Sequence, residues 1–208
     1  MSSGTHESRR ITRMPDSQEA ADTLDRWAAG TDPLLDVAGM DLSRVDLSGS
    51  ELANSLLSQA ILREAKLIKV DLYRSHLEGA DFTGADLSGS TLVKSVLDHA
   101  VLRGAKLDRV NLGSAEVSSV DARGASFRSA QLDGASFFDC QLQGADLSDA
   151  SVQDTAFEVT MDEETVVTGF HGVVFGPAKV VDEGGVRELD GPELQDWLNR
   201  RGAQVNVR

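Results

Sequence analysis

Ala80-Asp81-Phe82-Thr83-Gly84-Ala85-Asp86-Leu87-Ser88-Gly89 states one phrase twice: a small residue, an acid, a large apolar residue, then a polar pair ending in glycine. Read outward from Phe82 and Leu87, every fifth residue is apolar from Val37 to Phe157, 25 consecutive positions without a frame slip. Two residues before each, from Leu35 to Thr155, stand 12 Ala, 5 Ser, 4 Val and single Leu, Met, Cys and Thr. A period of five matches neither the 3.6 of a helix nor the 2 of a strand. Two inward residues separated by one outward residue form a short extended edge, and the remaining pair forms a turn. A coil of such short edges has a narrow lumen, so each large side chain must be matched by a small one. No edge buries its leucine alone, and stacked neighbours supply the core.

The motif resembles that of the pentapeptide-repeat family, Ala-(Asp/Asn)-Leu-X-X, and Ala145-Asp146-Leu147-Ser148-Asp149 matches it as closely as the opening stretch. The resemblance implies an all-β solenoid, a right-handed quadrilateral β-helix with 20 residues per coil and about six coils over residues 35–158. Residues 1–34 then hold a disordered first dozen residues and a capping helix over 17–29, with Leu24 and Trp27 on its apolar face, Pro15 upstream and Gly30 at its end. In residues 159–208 the period dies at Asp162, and a small α+β module follows. Its short strands are Thr165–Val167, Val173–Phe175 and Lys179–Val181, and Asp190 N-caps a helix carrying Leu194, Trp197 and Leu198 that Gly202 stops. Gln204–Val207 is its last strand.

Composition excludes several function classes. The 208 residues carry 34 Asp and Glu against 20 Lys and Arg, a net charge of −14, which disfavours direct binding of nucleic acid or an anionic membrane. The 19 glycines and 5% aromatic content suit a narrow lumen. One cysteine, no apolar run of membrane length and no secretory core lead to the expectation of a cytoplasmic protein. His6, His76, His99 and His171 are scattered, and no Cys/His spacing suggests a metal. Cys140 falls on a small interior position and reads as packing rather than as a nucleophile. No catalytic set, phosphate loop or cofactor site is expected.

In a 20-residue coil, residues 20 apart stack. One outward ladder reads Asp46, Lys66, Asp86, Lys106, Ser126, Asp146; its neighbour reads Asp41, Ile61, Asp81, Val101, Asp121. These ladders read either as ion-paired surface or as a recognition strip. Their 40-residue higher period, with 55–74 matching 95–114 at 10 of 20 positions, is economically explained by duplication of a two-coil unit. Leu56 with Val96, and Ile61 with Val101, are outward apolar pairs. Arg63 with Arg103, and Lys66 with Lys106, are basic pairs two coils apart. Together with Asp41, Asp46, Asp81, Asp86 and Asp121 they form the candidate interaction surface.

The family resemblance implies a non-enzymatic protein-interaction module. Some acidic, dimeric members imitate duplex DNA, bind DNA gyrase or topoisomerase IV, and confer drug resistance or self-immunity, so a homodimer with such a partner is one expectation. The other is a rigid scaffold or adaptor whose C-terminal module binds an unrelated protein. Residues 36–158 hold 19 acids and 11 bases, a net −8, whereas about 30 Å of duplex DNA carries about 17 charges.

Overall fold

The computed structural model describes residues 9–208 and is built around a β-solenoid. Parallel bridges join residues 20 apart from Asp36–Leu56 to Asp146–Val166. One line runs Asp36, Leu56, His76, Val96, Glu116, Ser136 and Ala156. At each rung the backbone bonds to the next coil: Leu42 N–H donates to Ile61 O at 2.7 Å, and Ile61 N–H donates to Met40 O at 2.9 Å. Corners are β-turns, as where Val45 N–H donates to Leu42 O at 3.1 Å. The second residue after each central apolar one has positive φ from Gly39 to Asp154, as a type II turn requires, even where it is Arg44, Lys94 or His99. Glycine occurs there because it takes that conformation without a steric cost.

The first outward position explains the Asp of the motif. Asp41, Asp46, Asp81 and Asp86 each accept the N–H two residues on, at 2.9–3.1 Å, and so satisfy the donor that neither turn nor ladder engages. Inside, the five-residue repeat of large and small residues is almost completely shielded from solvent; Leu42, Leu47, Phe82 and Leu87 are fully buried. The lumen hydroxyls bond to carbonyls one coil earlier: Ser75 Oγ donates to Leu52 O at 2.9 Å, Ser95 Oγ to Leu72 O at 2.7 Å and Thr155 Oγ1 to Leu132 O at 2.9 Å. A small residue is therefore also where a polar group can be afforded inside.

Helix α1 (Gln18–Ala28) closes the first coil. Ser17 caps it, and Ala20, Leu24 and Trp27 are buried. Residues 1–8 of the expected disordered start lie outside the described residues, but Arg9–Arg13 are ordered by pairing with the first coil. Thr12 N–H donates to Asp46 O at 2.9 Å, and Asp46 N–H donates to Arg13 O at 3.1 Å. Arg9 donates to the carbonyls of Trp27, Asp32 and Pro33 and lies over the Trp27 ring. This strap occupies edge donors and acceptors that an open coil would leave free.

Towards the other end the rungs lengthen into β1 (Glu116–Ser118), β2 (Ser136–Gln141) and β3 (Ser151–Asp162). A bulge at Asp139 shortens one coil by a residue, pairing Gln141 with Thr160. The extra residue around Asp162–Glu164 restores the frame, so the period that the sequence reading ends at Asp162 resumes, with Val166 bridged to Asp146 and Val167 buried. Thr165–Val167 is thus a rung of the solenoid rather than a strand.

The tail is not set apart from the rod. Strands β4 (His171–Phe175) and β5 (Ala178–Asp182) pair in parallel with β3, and β7 (Gln204–Val207) pairs in parallel with β4. Strand β6 (Gly185–Leu189), unread in the sequence, forms an antiparallel hairpin with β5 across Glu183-Gly184. Helix α2 (Gly191–Asn199) buries Leu194 and Leu198 and packs on β7.

Candidate functional site

The coil presents four flat faces, named here by their first residues: Asp36, Asp41, Asp46 and Glu51. The thirteen residues of the candidate surface fall on three of them. Asp41, Ile61, Asp81, Val101 and Asp121 form one column of the Asp41 face. Asp46, Lys66, Asp86 and Lys106 form the corresponding column of the Asp46 face, and Leu56 and Val96 lie on the Asp36 face.

On the Asp41 face three of the four acids, Glu64, Asp81 and Asp121, pair with arginines. Arg63 Nε donates to Asp81 Oδ2 at 2.6 Å, Arg103 Nε to Asp121 Oδ2 at 2.5 Å, and Arg123 Nη2 to the same oxygen at 2.8 Å. The Arg123 guanidinium is the main reason the Asp121 carboxyl is pulled down to about 2, with Arg103 adding to it against partial burial. Bonds from Ser43 lower Asp41. At Asp81, burial pushes upward but is outweighed by Thr83 and Arg63. On the Asp46 face, burial raises Asp46 and bonds from Ser48 and Thr12 outweigh it; Lys66 stands between Asp46 and Asp86 in the ladder. These carboxylates hold turns and arginines.

The signal that reading single ladders misses appears when charge is summed face by face in the 20-residue register. Between residues 36 and 158 the Asp41 face holds four acids and four bases, the Asp46 face five and five, and the Glu51 face four and two. The Asp36 face holds Asp36, Glu78, Asp98, Glu116, Asp139 and Glu158 and no Lys or Arg at all. Six of the eight net negative charges of the rod therefore lie on one face. Among the described residues none of these six acids pairs with Lys or Arg. Glu78 accepts from Ser58 Oγ at 2.7 Å and lies 2.9 Å from His76 Nδ1; burial raises its carboxyl, but these contacts outweigh it and hold it low. Leu56, Phe138 and Phe175 are exposed among the acids of the same face, at 38%, 42% and 38%.

Cys140 is buried on the lumen side, its thiol donating to Val117 O at 3.0 Å, and burial pushes it up to about 12. Among the described residues no group of His, Cys, Asp and Glu is arranged to hold a metal, and no helix is long and apolar enough to cross a membrane.

Among solved structures, the chain is similar to HetL, a pentapeptide repeat protein involved in heterocyst differentiation regulation from the cyanobacterium Nostoc sp. strain PCC 7120. Identity is 27%, over 71% of this chain and 90% of that one, with a TM-score of 0.22. It is also similar to a pentapeptide repeat protein of the Arabidopsis thaliana thylakoid lumen, at 27% identity over 59% and 71% of the two chains and a TM-score of 0.30. Full-length QnrB1, a plasmid-mediated fluoroquinolone resistance protein, is 14% identical over 83% of this chain and 90% of its own, with a TM-score of 0.23. No curated protein matches the sequence. The family description "Pentapeptide repeats" matches residues 41–79, 80–118 and 118–154 in 8 copies. With the unbroken five-residue frame and its 20-residue ladder, that match makes the chain a member of the pentapeptide repeat family.

Proposed function

We propose that this protein is a non-enzymatic interaction module of the reducing cytoplasm that presents its Asp36 face to a cationic surface of a protein partner. The observation that carries the reading is the segregation of charge: between residues 36 and 158 that face has six acids and no Lys or Arg, beside two faces of balanced charge. A field of one sign speeds encounter with a basic surface and rejects acidic ones.

In its finer form the partner is a type II topoisomerase, DNA gyrase or topoisomerase IV. The whole rod falls short of duplex DNA in charge. The Asp36 face, averaging about one carboxylate per coil of about 4.8 Å, comes nearer to the one phosphate per 3.4 Å of a single strand. Two copies would associate elsewhere, because opposing this face to itself sets carboxylates against carboxylates.

Gyrase supercoiling with and without a quinolone, in the presence of wild-type protein or the Glu78→Lys/Glu116→Lys variant, tests the finer form. Relief of the drug by the wild type and its loss in the variant support it; no effect of the wild type at micromolar concentration removes it. Capture of partners from the native cell by the same two proteins tests the coarser form, which fails if both retain the same set.

The adaptor reading has one observation of its own: Val186, on β6, is 66% exposed. Because β4 and β7 complete the rod, deleting 159–208 would strip a coil edge, so Val186→Lys is the cleaner probe. Loss of a partner in that variant alone would favour the adaptor.

A further inference from the structure

On the Asp36 face, apolar residues recur on every second coil. Leu56 is bridged through His76 to Val96, Phe138 lies two coils further on, and Phe175 pairs with Ala156 two coils beyond that. The coils between them carry Glu78, Glu116 and Glu158, Asp98 and Asp139 flank Val96 and Phe138, and at the Phe175 end Lys179 lines a cavity with Asp139 and Glu158. The face is thus an apolar row set in an acidic field, with an apolar period of about 9.6 Å, twice the strand spacing.

We infer that this row seats a cationic amphipathic α-helix lying along the rod. The inference rests on the reading of the Asp36 face as the docking surface and names the chemistry of what docks there. An α-helix brings apolar side chains back to one side at i and i+7, about 10.5 Å apart. A tilt of about 24° to the rod axis brings that repeat to the period of the face. A helix is about 10 Å across, wide enough to cover both Leu56 and Val96 on one outward position and Phe138 on the other. The six coil steps from Leu56 to Phe175, about 29 Å, take about 20 helical residues.

Lysines and arginines flanking the helix's apolar stripe then reach Glu78, Asp98, Glu116, Asp139 and Glu158. None of those carboxylates pairs with Lys or Arg among the described residues, and only Glu78 pairs with a histidine, His76. An acidic or neutral helix gains nothing from that field, and a second copy of this chain meets like charge. The mode is the helix-on-apolar-surface recognition in which spaced anchors set register and charge sets the partner.

The test uses a fluorescent synthetic peptide of about 20 residues, with leucines in the i, i+3/i+4, i+7 pattern and lysines elsewhere, and a scrambled peptide of the same composition. Fluorescence anisotropy with the full-length protein at physiological salt should show at least about tenfold tighter binding of the patterned peptide. Val96→Ser/Phe138→Ser should abolish that preference, and Glu78→Lys/Glu116→Lys should weaken both peptides. All four substitutions are at outward positions, and unchanged circular dichroism melts confirm that the variants fold. Equal binding of the two peptides, or no binding of either, overturns the helix inference. Binding that prefers the patterned peptide but ignores Glu78→Lys/Glu116→Lys overturns the docking-face reading beneath it.

Discussion

Phe170 fills, from a position that elsewhere holds mostly Ala or Ser, the lumen that Gly172 leaves empty two residues later. Phe170 is fully buried and its ring centroid lies 5.5 Å from that of Phe157. Gly172 stands where the repeat places its large residue, paired with Val152, and a Cβ there would come within 2.5 Å of Val152 O. The order of large and small is reversed, yet each remains matched by the other, as close packing demands. Phe170→Ala should cost about 3–5 kcal/mol. Gly172→Ala should cost more than about 2 kcal/mol, because backbone must move and φ is +127°. Urea unfolding midpoints measure both, and a neutral Gly172→Ala would show that this coil is not built as described.

The lumen frame makes a second prediction. Leu87 is fully buried and Asp86, one residue before it, points outward. Leu87→Asp places an unpaired charge in a dry lumen and should unfold the rod. Asp86→Ser keeps a hydroxyl that can still accept the Ser88 N–H and should cost under about 1 kcal/mol. A circular dichroism melt unchanged by Leu87→Asp would refute the frame.

At the turns, conformation rather than contact sets the cost. Gly84 has φ +67° and a Cβ there would meet only Glu64 Cγ, at 3.8 Å. Gly84→Val should cost about 1–2 kcal/mol and Gly84→Asn markedly less, because Asn tolerates the left-handed region and a β-branched residue does not. Equal losses in thermal melts of the two variants would remove conformational strain as the cause.

The repeat made the rod legible because one residue in five must be large and one small whatever the surface does; the frame, the lumen and the face on which each outward residue lies all follow from that. Three things did not follow. The Asp139 bulge and the extra residue near Glu163 cancel each other, so the loss of the period at Asp162 read as the end of the rod although Val167 resumes it. Strand β6 shows little alternation because four of its five residues are exposed. The motif Asp residues read as displayed charge, although Asp81 and Asp86 serve the next turn's N–H. Only the 20-residue register, applied to all charges at once, separates these from Glu78 and Glu116, which no Lys or Arg faces.

Asp121 makes the stability depend on acid. Its carboxyl is held at about 2 in the folded chain against 3.8 ordinarily, first by Arg123 and then by Arg103. A folded-state value below the unfolded one stabilises the fold above the unfolded value, and that contribution drains away as pH falls from about 4 towards 2. Asp121→Asn should therefore cost about 1–2 kcal/mol near neutrality and progressively less in acid. Urea titrations of both proteins across that range should converge. A gap that stays constant would assign the loss to something other than charge, since Asn keeps an oxygen that can accept the Arg123 N–H.

Cys140 offers a readout of the lumen that needs no substitution. Its thiol is buried, donates to Val117 O and is pushed up to about 12, so the reactive thiolate is scarce at neutral pH and shielded from reagent. Labelling by a thiol reagent in native buffer should then proceed only through opening of the coils, with a rate that falls as stability rises and that Phe170→Ala accelerates. Immediate stoichiometric labelling of the native protein would mean that the lumen at Cys140 is open to water, and that the coil between Val117 and Phe157 is not closed in solution.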